Sequence, residues 1–156
     1  MPGLADVCLS TFYLYVFLSF CLSVPGLLSR NTSMLKVITF NLRYDRPDPE
    51  EQNWAIRKTA IAEVINFYQP DLVGTQEVKP NQRSDLQDLL PDYHNVGGDR
   101  RGDGTDEHCS IFYRTQTVKC LGTHDFYLSE TPNVAGSITP SWGNYAPRMA
   151  TWGSFK

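Results

Sequence analysis

The chain has 156 residues, of which 41% are hydrophobic and 20% are charged, and these proportions are typical of one globular domain. Its formal net charge of −3 argues against a broad basic surface for nucleic acid, although a local positive site that binds a phosphate is compatible with it. The four cysteines show no metal-ligand spacing and two of them lie in an apolar leader, so no disulfide framework is expected.

The first feature along the chain is a hydrophobic leader at residues 1–33, and the predicted domain covers residues 34–156. Val7 to Leu28 carries no charged side chain and is long enough to cross a bilayer. Three interpretations stay open: a membrane anchor, a signal peptide that lacks the usual basic residue before Val7, or a spurious extension if translation begins at Met34. The first two imply a membrane-anchored or exported protein, and the third implies a cytoplasmic one.

A strand, a loop, a helix and a second strand are predicted in succession. The β-branched run in Lys36–Phe40 predicts the first strand, and the Pro- and Asp-rich residues 43–53 predict the loop. An amphipathic helix is predicted from Trp54 until just before Pro70, because apolar residues recur there at helical spacing: Ile56, Ala60, Ile61, Val64, Ile65 and Tyr68. The second strand is predicted at Leu72–Gln76.

The remaining predicted elements are one helix and three short strands. The helix covers Lys79–Leu90, with Pro80 suited to its first turn and three leucines facing inward, Leu86, Leu89 and Leu90. The strands are predicted at Ser110–Tyr113, Val118–Gly122 and Met149–Phe155. A long loop rich in Pro, Ser and Asn precedes the last of them.

Asn41 and Glu77 stand just past the carboxyl ends of the first two predicted strands. Open α/β sheets tend to form ligand sites at such ends, so neighbouring strands would bring both side chains to one ion. One carboxylate and one amide are too few for a calcium cage but suit Mg²⁺, which keeps several waters and shares phosphate oxygens. Two structural alternatives stay open: Asn41 as a turn residue, and Glu77 as an acid that complements the dipole of the next helix.

Five segments, in order, resemble the first half of an endonuclease/exonuclease/phosphatase family domain: TFNLRYD at 39–45, QPDLVGTQEV at 69–78, DGTDEHCSIFYR at 103–114, FYLSETPNVAGS at 126–137 and APRMATWGSF at 146–155. The resemblance implies an α/β (α+β) sandwich of the deoxyribonuclease I-like type, with a mixed sheet and flanking helices. Two sheets pack face to face in that fold, and the matched half is expected to supply most of one.

The resemblance also implies roles for four residues. Glu77 matches the family's metal-ligand glutamate, and Asn41 matches the asparagine beside that ion, which is Mg²⁺ or Mn²⁺. Arg148 matches an arginine that contacts the scissile phosphate, since a guanidinium makes paired charge-assisted bonds to phosphate oxygens. Glu107 matches a carboxylate that holds a histidine in the correct tautomer. The implied reaction is hydrolysis of a phosphodiester or phosphomonoester, with the substrate class left open.

The family's later blocks, which contain that histidine, lie outside the match. None of the three histidines, His94, His108 and His124, fits the catalytic position, so each is interpreted as a surface or core residue. The resemblance therefore implies either a truncated Mg²⁺-dependent phosphoesterase or a non-catalytic remnant that binds a metal or a partner. An uncovered apolar sheet face would leave the chain poorly folded, self-associating or dependent on a second chain that supplies the missing half.

Two aromatic residues precede Arg148 in PSWGNYAPR, at 140–148. Trp142 and Tyr145 are interpreted either as a stacking wall for a base or sugar, or as parts of a packed loop lid.

Overall fold

The computed structural model describes residues 34–156, and the leader predicted at residues 1–33 lies outside the described residues. The described residues form two helices, α1 (Trp54–Tyr68) and α2 (Pro80–Leu89), together with short 3-10 turns at Glu50–Gln52 and Pro140–Trp142. The strands are β1 (Val37–Asn41), β2 (Leu72–Gln76), β3 (Tyr93–Val96), β4 (Ile111–Arg114), β5 (Cys120–Tyr127) and β6 (Met149–Phe155). Neither helix within residues 34–156 is both long and apolar enough to cross a bilayer.

The strands form two sheets. Four of them make a mixed sheet in the order β1-β2-β4-β3, in which β1 and β2 are parallel and the other neighbours are antiparallel. Strands β5 and β6 form a separate antiparallel pair. The mixed sheet with its two helices confirms the predicted fold class, and the β5-β6 pair is an addition to the single sheet that was expected.

One hydrophobic core joins both helices to the four-stranded sheet. Its members are Leu42, Trp54, Ile61, Ala62, Ile65, Val73, Val78, Leu86, Leu90, Tyr93 and Phe112, all of them buried. The predicted inward orientation of Leu86 and Leu90 is confirmed, and Leu89 packs against the core while partly buried. Burying one such side chain contributes about 1.5–3 kcal/mol, so this cluster is the main support of the sheet to which the candidate site is attached.

Helix α1 has the predicted bounds but a different buried face. Of the six apolar residues at helical spacing only Ile61 and Ile65 are buried, whereas the other four are exposed: Ile56, Ala60, Val64 and Tyr68. Trp54 and Ala62 complete the buried face instead. The helix carries apolar residues on more than one side, so periodicity placed the helix correctly but did not identify the side that packs.

Two strands depart from the sequence prediction. Strand β3 was not predicted, and the strand predicted at Val118–Gly122 is β5, which begins at Cys120 and continues to Tyr127. The prediction was wrong there because the polar residues between Gly122 and Asp125 interrupt any apolar alternation, and pairing with β6 supplies the strand's order. The other strand bounds agree with the prediction to within one residue.

The loop at residues 97–110 is organised around Asp99, whose residue surface is 2% exposed. The Asp99 carboxylate accepts hydrogen bonds from the backbone N–H of Gly104 and of Asp106, both at 3.0 Å. Burial raises the pKa of this carboxyl, but the amide bonds from Gly104, Asp106 and Arg101 outweigh burial and hold the pKa below its ordinary value of 3.8. The charged carboxylate is therefore the form that holds the loop together.

We predict that Gln69→Gly stabilises the chain. Gln69 ends α1 in the left-handed region, with φ 46° and ψ 56°, and it precedes Pro70. Glycine lacks the Cβ that makes this conformation unfavourable, so we expect the free energy of unfolding to rise by roughly 0.5–1 kcal/mol after the greater entropy of the unfolded chain is allowed for. Urea unfolding measures the change. Gln69→Ala, which keeps Cβ, is the control, and equal stability of the two variants would contradict the prediction.

We predict that Asp99→Asn destabilises the chain in a pH-dependent manner. Because the folded pKa of Asp99 is lowered, its stabilisation is present above the ordinary value of 3.8 and is lost as the pH falls through the folded pKa. At pH 7 we expect a loss of about 1 kcal/mol, the difference between hydrogen bonds to charged and to neutral acceptors. Urea unfolding at pH 7 and near pH 3 should show the gap between variant and unaltered chain closing in acid. A gap of constant size would refute this account.

Candidate active site

A cleft of about 440 Å³ opens where the loops after β1 and β2 meet the loop at residues 97–110. Its lining residues are Tyr44, Glu77, Lys79, Arg100, Glu107 and Arg148. Three of the four residues singled out in the sequence therefore share one cleft, and the fourth, Asn41, contacts Glu77.

The parallel register of β1 and β2 brings Asn41 and Glu77 together. Asn41 pairs with Gln76 at the ends of the two strands, and Glu77 is the next residue. Nδ2 of Asn41 donates a hydrogen bond of 2.9 Å to Oε1 of Glu77. The amide oxygen of Asn41 accepts from the backbone N–H of Arg43 at 2.8 Å, so the amide presents its nitrogen to the carboxylate. In this arrangement Asn41 orients Glu77, and each oxygen of the carboxylate keeps a lone pair with which it can bind a cation.

Glu77 has an unusual backbone conformation. Its φ of 60° lies in the left-handed region, which non-glycine residues adopt rarely and which occurs preferentially at functional sites. The next residue is firmly held, because Val78 and His108 exchange backbone hydrogen bonds of 3.3 and 2.7 Å. The backbone N–H of Tyr44 lies 3.4 Å from Oε2 of Glu77. The surrounding structure thus fixes both the main chain and the side chain of Glu77.

The donor set around Glu77 fits a hard divalent cation. Within residues 34–156 no group of three or more His, Cys, Asp or Glu side chains is placed to hold a metal ion. An ion at Glu77 would therefore take most of its ligands from water and from a bound anion. Mg²⁺ is commonly bound in this way, through one or two carboxylates together with waters and phosphate oxygens.

Asp106 forms an ion-pair cluster beside the cleft. Its carboxylate pairs with Nζ of Lys79 at 2.9 Å, Nε of Arg100 at 3.0 Å and Nε of Arg101 at 2.9 Å. Burial raises the pKa of the Asp106 carboxyl, but hydrogen bonds from Lys79 and Arg100 outweigh burial and hold the pKa well below its usual range. The Asp106 carboxylate is therefore charged at neutral pH, and it pairs with two cationic residues of the cleft lining, Lys79 and Arg100.

Glu107 and Arg148 lie in the same cleft with different surroundings. Oε1 of Glu107 pairs with Nη2 of Arg100 at 3.0 Å, and only 15% of its side chain is exposed. Arg148 is an exposed residue directly before β6. The cleft thus combines a fixed carboxylate with an accessible guanidinium.

The described histidines lie away from the cleft lining. His108 is 4% exposed, and its Nδ1 lies 3.0 Å from the carbonyl oxygen of Asp106 and 3.2 Å from that of Val78. His94 stacks with Tyr113 on the four-stranded sheet, at 6.2 Å between ring centroids. His108 accordingly serves the fold, because its ring bonds to main-chain carbonyls.

Four residues of this region were missed in the sequence: Tyr44, Lys79, Arg100 and Asp106. Lys79 carried a usable signal, because it is a cation only two residues after the candidate metal ligand Glu77. Its Nζ lies 5.9 Å from the centre of the Tyr44 ring. Arg100 and Asp106 gave no such signal, since their loop follows no periodicity and its path depends on tertiary contacts.

Several solved structures resemble the described chain. The endonuclease/exonuclease/phosphatase from Bacteroides vulgatus is 36% identical over 78% of this chain and 46% of its own, with a TM-score of 0.74. A functionally unknown conserved protein from Enterococcus faecalis V583 is 38% identical over 78% and 47%, with a TM-score of 0.72. The mannosyl-6-phosphatase of Bacteroides thetaiotaomicron is 35% identical over 79% and 46%, with a TM-score of 0.72.

The match covers most of this chain but less than half the length of each of these three proteins. No curated protein matches the chain significantly. The model of the Endonuclease/Exonuclease/phosphatase family matches residues 38–152, a range that contains all the residues lining the cleft. The chain belongs to the endonuclease/exonuclease/phosphatase family of hydrolases.

Proposed function

We propose that the cleft binds a divalent cation and a phosphate ester, and that the chain contributes these binding groups to a metal-dependent phosphoester hydrolase. The observation that carries the proposal is the Glu77 carboxylate, oriented by Asn41 at 2.9 Å, in one cleft with Lys79, Arg100 and Arg148. A carboxylate beside several cationic groups suits a cation and an anion bound side by side.

Each residue has a distinct proposed role. A bound Mg²⁺ or Mn²⁺ supplies Lewis-acid stabilisation of charge on phosphoryl oxygens. Glu77 holds the ion and Asn41 keeps the carboxylate in its orientation. Arg148 is accessible and binds phosphate oxygens with paired charge-assisted hydrogen bonds. Glu107, paired with Arg100 at 3.0 Å, would orient the family's proton-transferring histidine, which belongs to the blocks outside the match.

A sugar phosphomonoester is the substrate class that we propose. One solved neighbour at 35% identity is a mannosyl-6-phosphatase. Trp142 and Tyr145, which precede Arg148, are 57% and 96% exposed. Such exposure favours a stacking surface for a ring over the packed lid that was the alternative, since lid residues would be covered. The second candidate function, a metal-binding module without turnover, is an outcome of the experiments below.

We predict that Glu77→Gln weakens Mn²⁺ binding to the 156-residue chain by at least about tenfold, because the substitution removes the anionic oxygen while keeping the size of the side chain. Electron paramagnetic resonance of free Mn²⁺ measures the affinity. Glu63→Gln, an exposed position on α1, removes the same charge elsewhere and is the control. Equal Mn²⁺ affinity in all three proteins would place any cation away from Glu77.

We predict that Arg148→Gln weakens binding of mannose 6-phosphate, in the presence of Mg²⁺, by about tenfold, because a charge-assisted pair of hydrogen bonds is lost. Isothermal titration calorimetry measures the affinity, and Lys58→Gln on α1 is the charge-matched control. Phosphate release in the same samples tests whether the chain hydrolyses the ester by itself: turnover that Glu77→Gln abolishes supports the hydrolase and contradicts a module that only binds metal. Unchanged affinity in Arg148→Gln contradicts the assigned role.

A further inference from the structure

Three cations share one buried carboxylate at the edge of the cleft. The Asp106 side chain is 8% exposed, and both of its oxygens are occupied. Oδ1 accepts from Nζ of Lys79 and from the backbone N–H of Glu107, each at 2.9 Å, while Oδ2 accepts from Arg100 and Arg101. One counter-charge would neutralise a buried carboxylate, so within the ion-pair cluster the three cations exceed the two carboxylates, Asp106 and Glu107, by one charge.

Two of these three cations belong to the cleft lining. Lys79 and Arg100 line it with side chains 28% and 22% exposed, whereas Arg101 is 63% exposed and does not line it. Lys79 and Arg100 have long side chains with many rotamers, and an ion pair to a buried carboxylate removes most of that freedom before any ligand arrives. A binding site that is ordered in advance loses less free energy when it binds.

Within residues 34–156, both residues have hydrogen-bond donors that no partner occupies. Lys79 has three ammonium donors and gives one of them to Asp106. Arg100 has five guanidinium donors, of which Nε serves Asp106 and Nη2 serves Glu107. Phosphoryl oxygens can accept from the remaining donors, which belong to two residues that line the same cleft as Glu77.

The backbone holds this arrangement in place. Val78, which joins Glu77 to Lys79, bridges to His108, and His108 also bridges to Asp99. The backbone N–H of Arg100 donates to the carbonyl oxygen of Glu107 at 3.0 Å. The residues that carry the cations and the residue that holds them are therefore parts of one hydrogen-bonded unit.

We propose that Lys79 and Arg100 form an anion-binding wall of the cleft that binds the phosphate group of the ester, and that Asp106 is the positioning residue of this wall. The inference rests on the proposed function, since it assigns further binding groups to the same cleft. It differs from the role of Arg148, because these two cations are fixed before the ligand binds.

The test uses inorganic phosphate as the probe, with binding to the 156-residue chain measured by calorimetry with and without Mg²⁺. We expect Asp106→Asn, Lys79→Met and Arg100→Met each to weaken phosphate binding by about fivefold to tenfold. Asp85→Asn is the matched control, because Asp85 pairs with Lys58 at 3.2 Å outside the cleft lining, and it should leave the affinity unchanged.

A combined variant separates positioning from a structural role. In a chain that already carries Lys79→Met and Arg100→Met, Asp106→Asn should weaken phosphate binding no further, because residues that act through one another are not additive. A further loss of several-fold in that background would show that Asp106 acts through the fold, and would overturn the inference. Unchanged affinity in Asp106→Asn alone, or no phosphate binding by the unaltered chain, would also overturn it.

Circular dichroism identifies variants that do not fold. If Asp106→Asn unfolds, Lys79→Met and Arg100→Met decide the matter, since both change partly exposed side chains, and full phosphate affinity in both overturns the inference. Failure of the proposed function is seen separately through Mn²⁺ binding in Glu77→Gln. Weak phosphate binding in Asp106→Asn together with unaltered Mn²⁺ affinity in Glu77→Gln would refute the metal site and leave the anion-binding wall standing.

Discussion

The parallel pairing of β1 with β2 determines where the chemistry of this chain can occur. The register sets Asn41 opposite Gln76, so the hydrogen bond from Asn41 to Glu77 forms just past the last pair of the ladder. Parallel strands need a crossover between them, and α1 provides it while burying Ile61 and Ile65 against the sheet. A shift of register by one residue would turn these side chains to opposite faces, and the carboxylate would lose its amide partner.

A second contact, the backbone bridge between Val78 and His108, connects the sheet to the loop at residues 97–110. The bridge between Val78 and His108 ties the residue after Glu77 to the residue after Glu107. The loop at residues 97–110 is held by the same bridge and by the hydrogen bonds of Asp99, so its charged side chains have a defined position relative to the sheet. The charged side chains of this irregular segment are thereby attached to a hydrogen-bonded backbone. The position of the cleft residues therefore depends both on the register of β1 with β2 and on the bridges that hold the loop.

Some helices and strands could be predicted from the residues of the element alone. Both helices, β2 and β6 could be placed from apolar spacing and from Pro and Gly punctuation. Strand β3 could not, because Tyr93–Val96 contains His94 and Asn95 and owes its order to pairing with β4. The same limit applies to the site: Glu77 follows a recognisable strand, whereas Arg100 and Asp106 come near it only through long-range bridges. Sequence reasoning found the groups placed by periodic structure and missed those placed by tertiary contacts.

The left-handed backbone of Glu77 lowers the stability of the fold at the same position that supplies the carboxylate of the candidate site. Glycine or asparagine would accept that conformation more readily, and either would relieve strain of order 1 kcal/mol while discarding the carboxylate. Selection for thermal stability alone would therefore favour replacement of this glutamate, because nothing in such a selection rewards the acid. A glutamate in this conformation therefore lowers the stability of the fold, an effect that is typical of residues held in place for a binding site.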